Sequence, residues 1–287
     1  MGESAAHAGD HADSLARRAV RHAAWRTRRA VTVTADRFRR GDRAVVVTPV
    51  AGLRFGNWAY LWLRAHARSA AGIPTRALVA PGMEPWLEAF PRLRDWTVVR
   101  GDVRFHDRRE WDHDFRYQRF GVDFAGEDVD AFVREDLAPW IDADTSGTLV
   151  VNVRRGDYYE HDGFKDLFGF DQAGYLRAAL EHSGGAERIL VVSDDDRWCR
   201  AHLDAVLRDF GSTIDYAAPD PIPNYRAVAG ARRIIGTNST FTYWAAHVAT
   251  VVHDDAQIIM PRFHARLDAG TDAFQLDPRW HAIEGFH

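Results

Sequence analysis

Two adjacent guanidiniums and a carboxylate follow an apolar run in Val151-Asn152-Val153-Arg154-Arg155-Gly156-Asp157-Tyr158. The run over 148–151 reads as a buried parallel strand, and Gly156 permits a sharp turn just past its carboxyl end. Open α/β sheets bind ligands in the crevice outside the strand ends. Two arginines placed there can grip a diphosphate through paired charge-assisted hydrogen bonds, which a lysine point charge reproduces less well. The plainer alternative is a surface Arg–Asp ion pair at a turn, an arrangement that is nearly neutral energetically.

Two further segments bring complementary chemistry. The run Arg188-Ile189-Leu190-Val191-Val192 is strand-like and leads directly into Ser193-Asp194-Asp195-Asp196. Later, Arg233-Ile234-Ile235-Gly236 is followed by the polar turn Thr237-Asn238-Ser239 and by Thr240-Phe241-Thr242-Tyr243-Trp244, a helix start with Ser239 or Thr240 as its N-cap. Free N–H groups and the positive end of a helix dipole make such a start a ready anion site. Tyr243 and Trp244 read as core aromatics.

These residues carry a family resemblance. The arginine segment resembles the HxRRGDY motif of glycosyltransferase family 11, the α-1,2-fucosyltransferases, and the two later segments resemble that family's FSDD and STFSWW motifs. Upstream, Gly52-Leu53-Arg54-Phe55-Gly56-Asn57 is similar to the same family's Gly-Asn loop and to the RFGN loop of the peptide O-fucosyltransferases. Four motifs in the expected order are far more specific than any one of them. Two positions depart from the pattern: Asn152 stands where related enzymes have a guanosine-contacting histidine, and Trp58 where they have glutamine.

The resemblance implies a GT-B fold, two Rossmann-like α/β domains facing a cleft, and inverting transfer of L-fucose from GDP-fucose to a sugar hydroxyl of a carbohydrate acceptor. It implies no metal and no cofactor beyond the nucleotide-sugar donor. Arg154 would hold the β-phosphate and offset charge growing on the departing GDP. Arg155 would assist, or would point into the sheet and pair with Asp157. Gly56, Asn57, Asn152 and Ser193 join the donor-binding set. Asp194 and Asp195 would read guanine through its N1–H and N2–H₂ donors, or one of Asp195 and Asp196 would cap the following helix. The aspartate run as a divalent-cation site is the minority alternative. Asn238, Ser239 and Thr240 would supply donors to the diphosphate, with Phe241 near the base or sugar. For the proton acceptor, Asp157 is the first choice among Asp157, Glu160, His161 and Asp162. Another donor sugar, a peptide hydroxyl as acceptor, or nucleotide binding without catalysis remain as alternatives.

Composition narrows the classes. At 287 residues and 46% hydrophobic, the chain can bury a full core. A formal charge of -4, with no basic stripe interleaved with aromatics in the body, argues against nucleic acid as a partner. Cys199 is the single cysteine, which excludes an internal disulfide framework. With no apolar window long enough for a bilayer and no signal-peptide core, the reading is a cytoplasmic protein.

The elements that must position these groups follow from periodicity. Residues 1–43 read as a disordered leader running into a basic amphipathic segment over 15–43, where Ala16, Ala19, Val20, Ala23 and Ala24 recur at helical spacing among many arginines. That segment is either a solvated helix on the first domain or a weak peripheral membrane contact. Residues 44–145 form the acceptor-side domain: strands at 44–47, 78–80 and 97–99, helices at 57–70, 86–90 and 130–137, and an irregular stretch over 101–126. Residues 146–287 form the nucleotide-sugar domain: strands at 148–153, 188–192, 213–216, 233–236 and 256–260 alternating with helices at 171–182, 196–209, 224–232 and 240–249. Such alternation argues for a parallel sheet covered by helices.

Overall fold

The computed structural model describes residues 44–111, 118–267, 270 and 273–287, so the leader and the basic segment of 15–43 lie outside the described residues. Strands β1 (Val45–Thr48), β2 (Thr75–Leu78), β3 (Thr97–Val98) and β4 (Arg108–Trp111) form one sheet in the order β3-β2-β1-β4, and every pairing is parallel. Helix α1 (Phe55–Ala70) connects β1 to β2, and the short helix α2 (Glu84–Ala89) lies between β2 and β3. Strand β4 falls inside the stretch read from sequence as irregular. Its sequence, Arg-Arg-Glu-Trp, has no apolar alternation because it is a sheet edge, and Glu110 takes salt bridges of 2.8 Å from Arg64 and from Arg68 on α1. Strand β2 begins at Thr75, three residues before the expected start, since the exposed Arg76 interrupts its apolar pattern.

After helix α3 (Gly126–Phe132) and a π-helical turn at Val133–Leu137, the chain enters a six-stranded sheet. Its strands are β5 (Leu149–Val153), β6 (Ala186–Ser193), β7 (Gly211–Tyr216), β8 (Arg233–Gly236), β9 (Gln257–Pro261) and β10 (His281–Ile283), in the order β10-β9-β8-β5-β6-β7, again all parallel. The chain runs outward from β5 through β6 to β7, returns to β8 beside β5, and runs outward the other way. The crevice where this order reverses, at the carboxyl ends of β5 and β8, is where an open α/β sheet binds its ligand. The connecting helices are α4 (Gly156–Glu160), α5 (Asp162–Phe168), α6 (Gln172–Ser183), α7 (Asp196–His202), α8 (Asp204–Arg208), α9 (Pro221–Ala229) and α10 (Thr240–Val252). The helix expected over 196–209 is broken at Leu203 into α7 and α8. Residues after Arg155, given no element from the sequence, form α4 and α5, closed by a Tyr158–Phe168 stack with ring centroids 4.2 Å apart.

Burial follows strand alternation. Leu149, Val151 and Val153 face a cluster built with Tyr175, Leu176, Ile189 and Ile235 on one side of the sheet. Val150, Val192, Ile234 and Met260 face the other side, in a cluster that also holds Val45 and Val47 of β1 and much of α1. One apolar core therefore runs from the four-stranded sheet into the six-stranded one. Its seam is aromatic: Tyr60 meets Trp244 edge-on at 4.9 Å, and Phe55 meets Tyr225 at 4.6 Å. Among the described residues no helix is long and apolar enough to cross a membrane.

Candidate functional site

The ends of β5 and β8 are tied together by backbone and hydroxyl bonds. Thr237 donates its N–H to the Asn152 carbonyl at 3.1 Å, and the Arg154 N–H donates to Thr237 Oγ1 at 2.9 Å. Arg154 thus leaves the sheet at the point where the strand order reverses. Ser239 caps α10 by accepting the Phe241 N–H at 3.3 Å, and the first turn of that helix carries no acidic residue. Nor does the first turn of α1. The two helix starts meet: a Cβ on Gly56 would lie 2.3 Å from Thr240 Oγ1 and 2.7 Å from the Phe241 nitrogen, so only glycine fits there. Two positive dipole ends and an arginine share this corner of the molecule.

The turn around Arg154 is held by a second set of contacts. Its guanidinium pairs with Asp157 at 2.5 Å and with Asp194 at 2.6 Å. Burial disfavours its charge, but Asp194 and Asp157 outweigh burial and hold its pKa above the ordinary arginine value. Asp194 also accepts the Arg155 backbone N–H at 2.7 Å. The Asp194 carboxylate packs against Gly156, whose φ is +23° and where a Cβ would approach Asp194 Oδ2 to 2.4 Å. Gly156 is required on both counts.

The structure corrects several sequence expectations. Arg155 does not pair with Asp157; Arg154 does. Arg155 lies between the Tyr159 and Trp198 rings, at 3.7 and 3.6 Å from their centroids, and donates to Gln172 Oε1 at 3.1 Å. Burial lowers its pKa, but a guanidinium stays charged and stacking suits its weakly hydrated plane. Gln172 in turn donates to the Arg154 carbonyl at 2.9 Å, so Arg155 and Gln172 brace the backbone of the neighbouring arginine.

Asn152 does not offer its amide to a ligand. It donates to the Val192 carbonyl at 2.9 Å and accepts from Thr242 Oγ1 at 2.5 Å, a buried link from β5 to β6 and α10. Asn238 is fully buried and gives both amide hydrogens to the Phe168 and His264 carbonyls at 2.8 Å each. Asp195 caps α7 by accepting the Trp198 N–H at 3.0 Å, while Ser193 Oγ accepts from the Asp195 N–H at 3.0 Å. Asp196 pairs with Arg200 at 3.5 Å, so the three aspartates face three different partners. Among the described residues no three His, Cys, Asp or Glu side chains are grouped to hold a metal ion. Asp194 spends both oxygens on the arginine turn. Arg154, Asp157, Thr240, Phe241 and Asn57 remain partly accessible. Glu160, His161 and Asp162 are exposed at the junction of α4 and α5.

Sequence reasoning missed Tyr159, Gln172 and Trp198. Tyr159 carried a faint signal, four residues after Arg155 and therefore on its side of a helix. Gln172 and Trp198 carried none, since their role exists only once α6 and α7 pack beside β5.

The glycosyl transferase family 11 model matches residues 110–282, more than half of the chain. The match covers the Arg154 turn and the six-stranded sheet up to the second residue of β10, and it leaves Gly56 and Asn57 outside. A search of curated proteins finds no match. With the matched region carrying the switch-point arginine, its paired carboxylates and the capped start of α10, the chain belongs to glycosyl transferase family 11 and is a glycosyltransferase of the fucosyltransferase-like type.

Proposed function

We propose that the enzyme transfers L-fucose from GDP-fucose to a sugar hydroxyl with inversion, in a GT-B-like cleft between the two sheets. The observation that carries this reading is the place of Arg154, at the switch point of the six-stranded sheet and beside the converging starts of α10 and α1. The donor diphosphate lies against those helix starts. Arg154 exchanges Asp157 for a phosphate oxygen, which leaves the carboxylate free to take a proton. The acceptor oxygen then attacks the anomeric carbon from the face opposite the diphosphate, its proton passes to Asp157, and the bond to the β-phosphate oxygen breaks. The charge that develops on GDP is met by Arg154 and by helix N–H groups in place of a divalent cation. In this reading the enzyme is cytoplasmic, with 15–43 available for weak contact with a membrane surface.

A second reading keeps the chemistry and changes the donor sugar, or takes a peptide hydroxyl as acceptor. It is favoured by the engagement of Asn152, which removes a guanosine contact that the resemblance implies. Nucleotide screening by thermal shift tests both, because a ligand that binds only the native state raises its apparent stability. GDP is expected to stabilise the protein well above UDP or ADP, and GDP-fucose to release GDP in the presence of acceptor sugars. Equal or greater stabilisation by UDP would sink the guanine assignment. Binding without any GDP release would leave a nucleotide-binding protein.

A further inference from the structure

A chain of three amides joins the start of α1 to two segments far away in sequence. Gln118 Nε2 donates to Asn57 Oδ1 at 3.0 Å, and Gln275 Nε2 donates to Gln118 Oε1 at 3.1 Å. Both glutamines are buried. Their segments are locked together by the Phe120 N–H, which donates to the Phe274 carbonyl at 2.8 Å, and Phe120 stacks on His247 of α10. At the far end, Gln275 Oε1 is buried without a partner. At the near end, the Asn57 NH₂ has no partner among the described residues and is not sealed from solvent.

The direction of the chain has an energetic reason. Turning all three amides around would strand both hydrogens of the buried Gln275 NH₂, whereas the observed direction strands its carbonyl oxygen and one hydrogen. The directions differ by one group, and a buried carbonyl oxygen tolerates a missing partner more readily than a buried N–H does. The buried end therefore dictates which end of Asn57 faces outward.

We infer that Gln118, backed by Gln275, is a positioning residue that holds the Asn57 amide with its NH₂ group outward as a donor to an oxygen of the bound nucleotide diphosphate. Asn57 follows Gly56 directly, and Gly56 is in contact with Thr240 and Phe241 at the start of α10. An amide nitrogen here adds to the positive end of both helices, and an amide oxygen in its place would oppose it. The inference rests on the diphosphate reading given above.

Gln118→Glu tests it, because glutamate at this place accepts where glutamine donates. The Asn57 amide must then turn, giving its NH₂ to the carboxylate and its oxygen to the site. Calorimetric titration with GDP should show an affinity about tenfold to a hundredfold weaker than wild type, the range for a hydrogen bond to a charged group. Gln118→Met keeps the volume but fixes neither orientation, and should weaken GDP by about threefold, with a melting temperature lowered by a few degrees because the Gln275 NH₂ loses its acceptor. A merely structural role predicts that GDP affinity tracks melting temperature across the variants and not the polarity of residue 118. If wild type binds GDP while Gln118→Glu binds it within twofold of wild type, the positioning role is wrong and the diphosphate reading stands. If wild type fails to bind GDP, both fall. Should the buried carboxylate keep Gln118→Glu from folding, Gln118→Met decides alone, and an affinity within twofold of wild type overturns the inference.

Discussion

Two clusters of opposite charge, one in each half of the molecule, are built on contrary terms. At the end of β5, Arg154 meets Asp157 and Asp194 at 2.5 and 2.6 Å, and Asp194 takes a backbone N–H as well. Beneath α1, Asp136 of the π-helical turn is fully buried and makes no well-formed hydrogen bond, the Trp96 N–H beside it compensating its charge only in part. The Arg92 guanidinium stands 3.6 Å away and the His66 ring 3.9 Å. Burial pushes the Asp136 carboxyl up to about 6. A carboxylate that is gripped on both oxygens fixes geometry, while one that is buried with only loose partners becomes a liability of the fold. The comparison separates polar groups that prepare chemistry from polar groups that cost stability.

Removing the centre of the first cluster should have the largest effect. Arg154→Ala is expected to lower kcat/KM by at least about a hundredfold, equivalent to roughly 2.7 kcal/mol of transition-state stabilisation. Arg154→Lys should recover little, since it keeps the charge and loses the fork. Steady-state kinetics beside thermal melting decide the matter. A folded alanine variant with nearly full activity would remove Arg154 from the chemistry.

A smaller loss should follow from loosening the brace. Trp198→Ala takes away one of the two rings around Arg155 and leaves every group that faces the cleft in place. A misplacement of the Arg154 backbone should show as about a tenfold fall in kcat, with GDP affinity changed less. Unchanged kcat would mean that Tyr159 and Gln172 suffice.

The second cluster should respond in stability alone. Because the Asp136 pKa is raised in the fold from 3.8 to about 6, the native state holds its proton more tightly than the unfolded chain does. The associated stability is present at low pH and is lost as pH rises from about 4 through about 6. Asp136→Asn should abolish that dependence and raise stability at pH 7 by on the order of 1–2 kcal/mol, with kcat unchanged. Melting curves recorded from pH 4 to 8 test the sign, and an asparagine variant less stable than wild type at pH 7 would show that the charged form is worth more to the fold than its burial costs.

The sequence was most informative where physics is local. Runs such as Leu149–Val153 and Arg233–Gly236 are continuous and apolar because both faces of these strands are covered, so five strands of the six-stranded sheet were legible, while their order in the sheet and β10 were not. Gly156 and the cap at Ser239 also announced themselves, since a turn and a helix start make demands on residues close in sequence. Strand β4 did not. An edge strand whose charges are answered from α1 has no pattern of its own.

Sequence alone determined that two arginines and a capped helix start lie at strand ends, and it carried the motifs of the family. Which arginine faces the carboxylates, and which one is sandwiched between rings, was decided by the packing of α6 and α7 against β5. The inward turn of Asn152 and Asn238 likewise depends on carbonyl and hydroxyl partners dozens of residues away. So does the close fit of Gly56 against Thr240. Each of these outcomes is a competition among long-range partners for one side chain, and the winner is set by distance and burial, which exist only after the two sheets have closed on their shared core.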